Sequence, residues 1–233
     1  MPELNGTPYP DDWTIEPIEA VCDFIVDCLH ETPEISPVPT GYHMARTSDI
    51  RNGRIDLETA RHVSRDVYLR RIQRGTPEAG DIIITREAPM GEIGRVPENS
   101  RVCLGQRTIH YRPNSARVDP RYLLFALLSG PVQHEFNANK GAGSVVDNLR
   151  MAKARGIPIP LPPLPVQREI AHILGTLDDK IDLNRRSGAG QGRGARSGRD
   201  GCGDGGAVPR RVRGLAAGRD PARVAGRDSC GSL

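Results

Sequence analysis

A closely spaced set of prolines that feeds straight into an amphipathic helix constrains this chain more than any other stretch. From Ile157 to Arg186 it reads Ile-Pro-Ile-Pro-Leu-Pro-Pro-Leu-Pro-Val-Gln-Arg-Glu-Ile-Ala-His-Ile-Leu-Gly-Thr-Leu-Asp-Asp-Lys-Ile-Asp-Leu-Asn-Arg-Arg. Proline fixes φ and disfavours helix at the residue before it, so Pro158, Pro160, Pro162 and Pro163 hold the chain extended. Pro165 suits a first helical position, where its missing N–H costs nothing. A helix is predicted from Val166. Its apolar residues Ile170, Leu174, Leu177 and Ile181 are spaced four, three and four, the seam of a coiled coil rather than the broad face of a surface helix.

Taken with Thr85-Arg-Glu-Ala-Pro-Met-Gly91 and Leu104-Gly-Gln-Arg107, this junction resembles the specificity subunit of type I restriction-modification systems. The resemblance covers residues 13 to 186. It implies a target-recognition domain that reads half of a split DNA site. It also implies a helix, following the Pro-rich strand, that packs on a partner helix as spacer and docks methyltransferase subunits. Cleavage and methylation would then belong to partner subunits, with ATP and S-adenosylmethionine bound there and no cofactor on this chain. The family's usual chain carries two recognition domains and two spacer helices. These 233 residues have room for one of each, so the expected arrangement is a truncated subunit that pairs with a second copy through its helix.

Composition divides the chain unevenly. Residues 187 to 233 hold 13 Gly and 9 Arg in 47 residues, with no Lys, Glu, Ile or aromatic side chain. Such a segment buries too little apolar surface to offset its ordering entropy, so disorder is expected. Its 9 Arg against 4 Asp leave residues 1 to 186 with 23 basic and 25 acidic side chains, so the formal net charge of +3 arises in the tail. Global charge therefore carries no argument for nucleic-acid binding; local clusters must. The tail's Gly, Arg, Ala, Pro and Asp suit an out-of-frame reading of a G/C-rich gene. Read one base later, Gly203-Asp-Gly-Gly-Ala-Val-Pro209 becomes Ala-Met-Ala-Ala-Leu-Phe, an apolar helical string. A natural Arg/Gly tail that binds nucleic acid loosely is the other reading.

Cys22, Cys28, Cys103, Cys202 and Cys230 sit at no metal spacing, and without a signal peptide the expectation is a cytoplasmic protein with reduced thiols. No apolar run approaches the roughly 20 residues of a membrane span.

Along the chain, Trp13 to Val26 fits a strand or a turn of helix at the domain's edge, and Glu31 to Gly41, with Pro33, Pro37 and Pro39, is a loop long enough to suspect function. Tyr42 to Gly53 should leave the sheet and return at Asn52-Gly53. Ser64 caps a helix that glycine stops at Gly75. Asp81 to Thr85 is a buried strand; Ile93 to Leu104 continues as a hairpin, and Thr108 to Arg112 alternates as a half-exposed strand. Asp119-Pro120 opens a helix burying Tyr122, Leu123, Phe125, Ala126 and Leu127. Strands and helices without regular βαβ alternation predict an α+β fold. Its recognition domain, residues 13–163, would hold a small twisted sheet with flanking helices, followed by a spacer helix over residues 164–186 and the tail.

Catalytic constellations are missing from the sequence. Lys140-Gly-Ala-Gly-Ser144 has its lysine on the wrong side for a phosphate loop, and Leu161-Pro-Pro-Leu164 lacks the amide and the aromatic ring of an adenine-methyltransferase site. A metal-dependent nuclease would pair Asp81 with Glu87, yet Pro89 stands where a lysine should follow. The six histidines show no ligand spacing, so no metal site is expected.

For DNA recognition, Arg46, Thr47, Ser48, Arg51 and Asn52 cluster in a turn, where arginine can read guanine and asparagine adenine; a hydrated hairpin corner is the alternative. Arg86 emerges at the end of a buried strand, to contact DNA or to pair with Glu87 or Glu92. Gln106 and Arg107 carry readout or packing. Lys140 and Ser144 flank backbone N–H groups suited to phosphate. Arg65, Arg70, Arg71 and Arg74 read as a solvated helix face. The competing function is a decayed fragment that only docks protein partners through its helix.

Overall fold

The computed structural model describes residues 1–138 and 148–191, with side chains through residue 185. Residues 1–188 form one compact unit. Lys140 and Ser144, and the tail beyond Gln191, lie outside the described residues.

A small hairpin, β1 (Glu3–Leu4) and β2 (Thr7–Pro8), leads into β3 (Thr14–Pro17), a 3-10 turn over Ile18–Val21 and β4 (Cys22–Asp27). After the loop come β5 (His43–Ala45), a 3-10 turn over Thr47–Asp49, and the hairpin of β6 (Ile50–Arg51) and β7 (Gly53–Ile55). Its corner is the expected Asn-Gly turn, with positive φ at Asn52 (50°) and Gly53 (82°). β8 (Arg61–His62) precedes α1 (Arg65–Arg71), whose cap is Ser64, its hydroxyl accepting from the Val67 N–H at 3.2 Å. The helix ends one turn earlier than glycine alone predicts, at Ile72.

β9 (Ile82–Thr85), β10 (Ile93–Arg95), β11 (Val102–Leu104) and β12 (Thr108–Pro113) follow, then α2 (Pro120–Leu128), capped by the Asp119 carboxylate. α3 (Gly130–Ala138) and α4 (Met151–Arg155) were not anticipated from the sequence. The prolines form β13 (Pro158–Leu161), paired antiparallel with β3, and α5 runs over Leu164–Gln191, starting one residue before Pro165 and continuing past Arg186.

The main sheet has the order β4-β12-β9-β10-β7-β6, and a smaller sheet has the order β11-β5-β8. Helices α2 to α4 cover one face of the main sheet; the small sheet lies toward the other face, with α1 packed against it. The alternation in β9 shows this layering: Ile82 and Ile84 join Leu123, Leu127 and Phe136 in the helical layer, while Ile83 joins Ile50, Ile55, Val102 and Leu104. A strand buried on both faces reads as an unbroken apolar run.

The structure corrects two sequence expectations. β11 does not continue the β9–β10 hairpin but crosses to the small sheet as the parallel partner of β5. β12 alternates in polarity and yet is buried, because Thr108 is bonded to the Gly105 carbonyl and His110 is covered by Phe24, Asp81 and the turn at Gly75 rather than by water. In α2 it is Leu124, not Phe125, that is fully buried.

α5 has two distinct faces. Gln167, 2% exposed, accepts from the Asp119 N–H at 2.9 Å and donates to the carbonyls of Pro162 and Arg117. Further along the same face, Arg54 pairs with Asp178 at 2.7 Å and with Asp182, and Arg121 reaches Asp179 at 2.5 Å and the Gly175 carbonyl at 3.1 Å. The adjacent flank carries the heptad residues, and its first two, Ile170 and Leu174, border a pocket with Tyr9, Trp13 and Phe125 of the domain. Ile170 is half-buried, while Leu174, Leu177 and Ile181 are 39%, 52% and 47% exposed.

Gly175 is what lets Arg121 lie on the helix, since a Cβ there would stand 2.5 Å from the Arg121 Cζ. Gly to Ala inside a helix ordinarily stabilises by about 0.5–1 kcal/mol. Here Gly175→Ala must displace the flexible end of Arg121, so its gain in urea midpoint is expected to be smaller in the wild-type background than in Arg121→Ala, where the obstruction is gone.

Candidate nucleic-acid interface

The parallel pairing of β5 with β11 sets Ala45 opposite Leu104, and the Gly105 N–H donates to the Ala45 carbonyl at 2.8 Å. The residues that follow both strands therefore emerge together, at the carboxyl ends of parallel strands where α/β folds commonly open their ligand crevices. There Arg46, Thr47, Gln106 and Arg107 line one cleft of about 490 Å³ with Arg61, Met44 and the loop residues Thr32, Pro33 and Ile35. Three arginines border it, and among the described residues no carboxylate lines it.

The cleft's walls are held by buried bonds. The Arg46 Nε and Nη2 donate to the Asp49 carboxylate at 2.8 and 2.6 Å, and Nη2 also reaches the Thr59 carbonyl at 3.1 Å. Hydrogen bonding to Asp49, 3% exposed, outweighs burial and raises the guanidinium's pKa further. The loop is anchored by Arg71, which is 3% exposed and donates to the carbonyls of Leu104, Glu31 and Leu29. Arg71 thus leaves the solvated face expected for it; Arg70 pairs with Glu31 at 3.4 Å, and Arg65 and Arg74 are exposed. The Gln106 amide donates to the His30 carbonyl and the Thr32 hydroxyl at 2.8 and 3.2 Å. Arg107, in a left-handed conformation at φ 63°, pairs with Glu87 at 3.1 Å.

The remaining sequence candidates lie elsewhere. The Ser48 hydroxyl is bonded to Asp49, and Arg51 and Asn52 sit on the exposed β6–β7 corner, with Arg51 3.7 Å from Glu92. Arg86 pairs neither with Glu87 nor with Glu92. Its guanidinium is directed inward onto Asp27 at 2.6 Å and the Leu149 carbonyl at 3.1 Å. Asp81 and Glu87, the pair a nuclease would need, are engaged separately. Asp81 holds His110 and Arg112, Glu87 holds Arg107 and Asn148, and no cluster of metal-binding side chains occurs among the described residues.

Sequence reasoning missed Arg61 and Met44, which become neighbours only through the β5–β8 register. The length of the proline loop was the one signal pointing to Thr32, Pro33 and Ile35. In the same register His43 faces His62, with ring centroids 4.5 Å apart and both Nδ1 atoms buried without a partner. Burial, and then His62, lower the His43 pKa.

Residues 10–189 match the family model of the type I restriction modification DNA specificity domain. The putative type I restriction enzyme MjaX specificity subunit of Methanocaldococcus jannaschii is 26% identical over 176 residues, which are 74% of this chain and 41% of that protein. The type I restriction enzyme EcoBI specificity subunit of Escherichia coli is 24% identical over 166 residues, 69% of this chain and 34% of that protein. The chain thus spans well under half the length of these relatives. Among solved structures, the HsdS subunit of Thermoanaerobacter tengcongensis superposes with a TM-score of 0.50 at 19% identity, covering 78% of this chain and 41% of that one. The type I S subunit of M. genitalium gives 0.51 at 18% identity, covering 75% and 43%. These likenesses agree on the mixed α+β fold, and with the family match over residues 10–189 this chain belongs to the type I restriction-modification DNA specificity family.

Proposed function

We propose that this chain is a non-catalytic specificity subunit with a single target-recognition domain, reading one half of a split DNA site and docking methyltransferase subunits through α5. The observation that carries the reading is the cleft at the ends of β5 and β11, bordered by Arg46, Arg61 and Arg107 and by no carboxylate among the described residues. Phosphate contacts position a protein on DNA and base edges supply specificity, and this cleft offers donors for both. Cleavage and methylation belong to the partner subunits in this reading.

The exposed seam of Leu174, Leu177 and Ile181 packs against a second helix. With one seam per chain, a second copy of the same chain is the natural partner, giving a twofold arrangement and a palindromic split site. A monomer in gel filtration at high micromolar concentration would count against that pairing.

The test is binding of the full chain, with its methyltransferase subunit, to a random duplex library followed by sequencing at several salt concentrations. The expected result is one enriched short motif, with affinity falling by about 0.9 log units per log unit of salt for each phosphate contacted. Retention of the methyltransferase with no motif enriched would leave a docking module instead.

A further inference from the structure

We propose that Arg61 is the side chain in this cleft that reads a guanine, and that Ile35 packs on the C5-methyl group of a neighbouring thymine. This rests on the DNA-reading function proposed above and names the bases that function would select.

The cleft's donors differ in how far they are already committed. Arg46 has two of its three guanidinium nitrogens on Asp49 and the Thr59 carbonyl, Arg107 is paired with Glu87, and the Gln106 amide is held by His30 and Thr32. Among the described cations lining the cleft, Arg61 alone has a guanidinium with no hydrogen bond or ion pair. To meet a ligand it breaks no internal bond.

Its backbone, by contrast, is fixed on both sides. Arg61 lies opposite Met44 in the β5–β8 ladder, and the Val63 N–H donates to the Tyr42 carbonyl at 3.0 Å. The Ser36 N–H reaches the His62 carbonyl at 2.8 Å, and the Thr40 hydroxyl reaches the Val63 carbonyl at 2.6 Å. A free fork on a rigid strand suits bidentate recognition, because the backbone is already ordered and docking costs only the side chain's own rotamer freedom.

The chemistry beside it narrows the base. In the major groove guanine presents N7 and O6 as paired acceptors that match arginine, and thymine alone presents a methyl group, which favours apolar contact. Ile35, 36% exposed at the loop's edge, supplies that apolar contact, while Met44, opposite Arg61 across the strands, is 5% exposed and packs in the core with Val63 and Tyr68.

The test compares the motif selected by the full-length wild type, with its methyltransferase subunit, against those of Arg61→Ala, Arg61→Lys and Ile35→Ala. Arg61→Ala should lose a preference of roughly 5- to 150-fold at one guanine position, while affinity for random duplex changes little. Arg61→Lys, which keeps the charge but not the fork, should likewise leave affinity for random duplex little changed and lose most of that preference. Replacing the adjacent thymine by deoxyuracil should weaken wild-type binding and leave Ile35→Ala unaffected. A uniform loss across all sequences with Arg61→Ala, together with a salt slope shallower by about 0.9, would make Arg61 a phosphate contact and overturn the assignment. An unchanged motif would overturn it as well, while leaving the DNA-reading function intact. If the wild type selects no motif, that function fails and this assignment falls with it.

Discussion

Replacing Asp81 by alanine is expected to lower the stability of the domain by about 3 kcal/mol, the order expected when the acceptor at the centre of a buried hydrogen-bonded network is removed. The Asp81 side chain is 6% exposed and accepts from three directions. The His110 Nε2 lies 2.6 Å from its Oδ2, Arg112 reaches both oxygens at 3.2 and 2.8 Å, and the Glu78 N–H donates at 2.8 Å. Without the carboxylate, His110, which is wholly buried and already has an unpartnered Nδ1, loses its side-chain hydrogen bond and keeps its edge contact with the Phe24 ring, and Arg112 keeps only Glu78, the Thr76 carbonyl and the Phe24 ring.

The pH dependence carries the same signature. Burial alone would raise the Asp81 pKa, but the hydrogen bonds from His110 and Arg112 outweigh it and hold the carboxyl below its ordinary value. A depressed carboxyl stabilises the fold above the unfolded-state value near 3.8 and loses that contribution as pH falls through the folded value. Urea denaturation from pH 7 to 2 should show a steep acid limb that flattens in Asp81→Asn, a milder variant at neutral pH. A stable Asp81→Ala that has merely lost a DNA-cutting activity would instead favour the nuclease alternative.

Arg86→Met is expected to cost about 1–3 kcal/mol, because it leaves the largely buried Asp27 carboxylate with His30 Nε2, at 3.2 Å, as its remaining side-chain partner. The Arg86 side chain is 13% exposed and its Nη1 lies 2.6 Å from the Asp27 Oδ2, while the other Asp27 oxygen is buried with no partner. Arg86 also holds the chain where it returns at Leu149, through its Nε to the Leu149 carbonyl at 3.1 Å and through its own carbonyl to the Leu149 N–H at 2.9 Å. Removing both charges with Arg86→Met and Asp27→Leu should recover much of the loss, a coupling that a double-mutant cycle in urea would measure. The folded fraction of Arg86→Met should select the same DNA motif as wild type. An altered motif at unchanged stability would return Arg86 to the readout residues.

These two sites mark where sequence reading reached its limit. Arg86 was recognised as a residue at a strand end, but nothing in its neighbourhood names Asp27, 59 residues away, as its partner. Asp81 and His110 meet because β12 pairs with β9, and the Thr108, His110 and Arg112 alternation that suggests a solvent face is the same whether water or protein lies above it. Arg46, Thr47, Gln106 and Arg107 were identified individually. Their convergence follows from the parallel β5–β11 pairing, which joins segments on either side of a helix and four strands of the main sheet. Arg61 escaped notice because a two-residue strand is too short to show alternation.

Read alone, the sequence determined whatever neighbouring residues decide between themselves. The Asn52-Gly53 corner, the Ser64 and Asp119 caps, the doubly buried run at Ile82 to Thr85, the proline-held strand and the heptad seam of α5 all rest on backbone restriction, capping bonds or periodicity within a few residues. Only the tertiary structure decided which sheet β11 joins, which arginines are anchored inside and which one is left free, and which face of α5 docks on Arg54 and Arg121. Those outcomes depend on burying apolar surface and pairing charges across long separations, and no local preference encodes them.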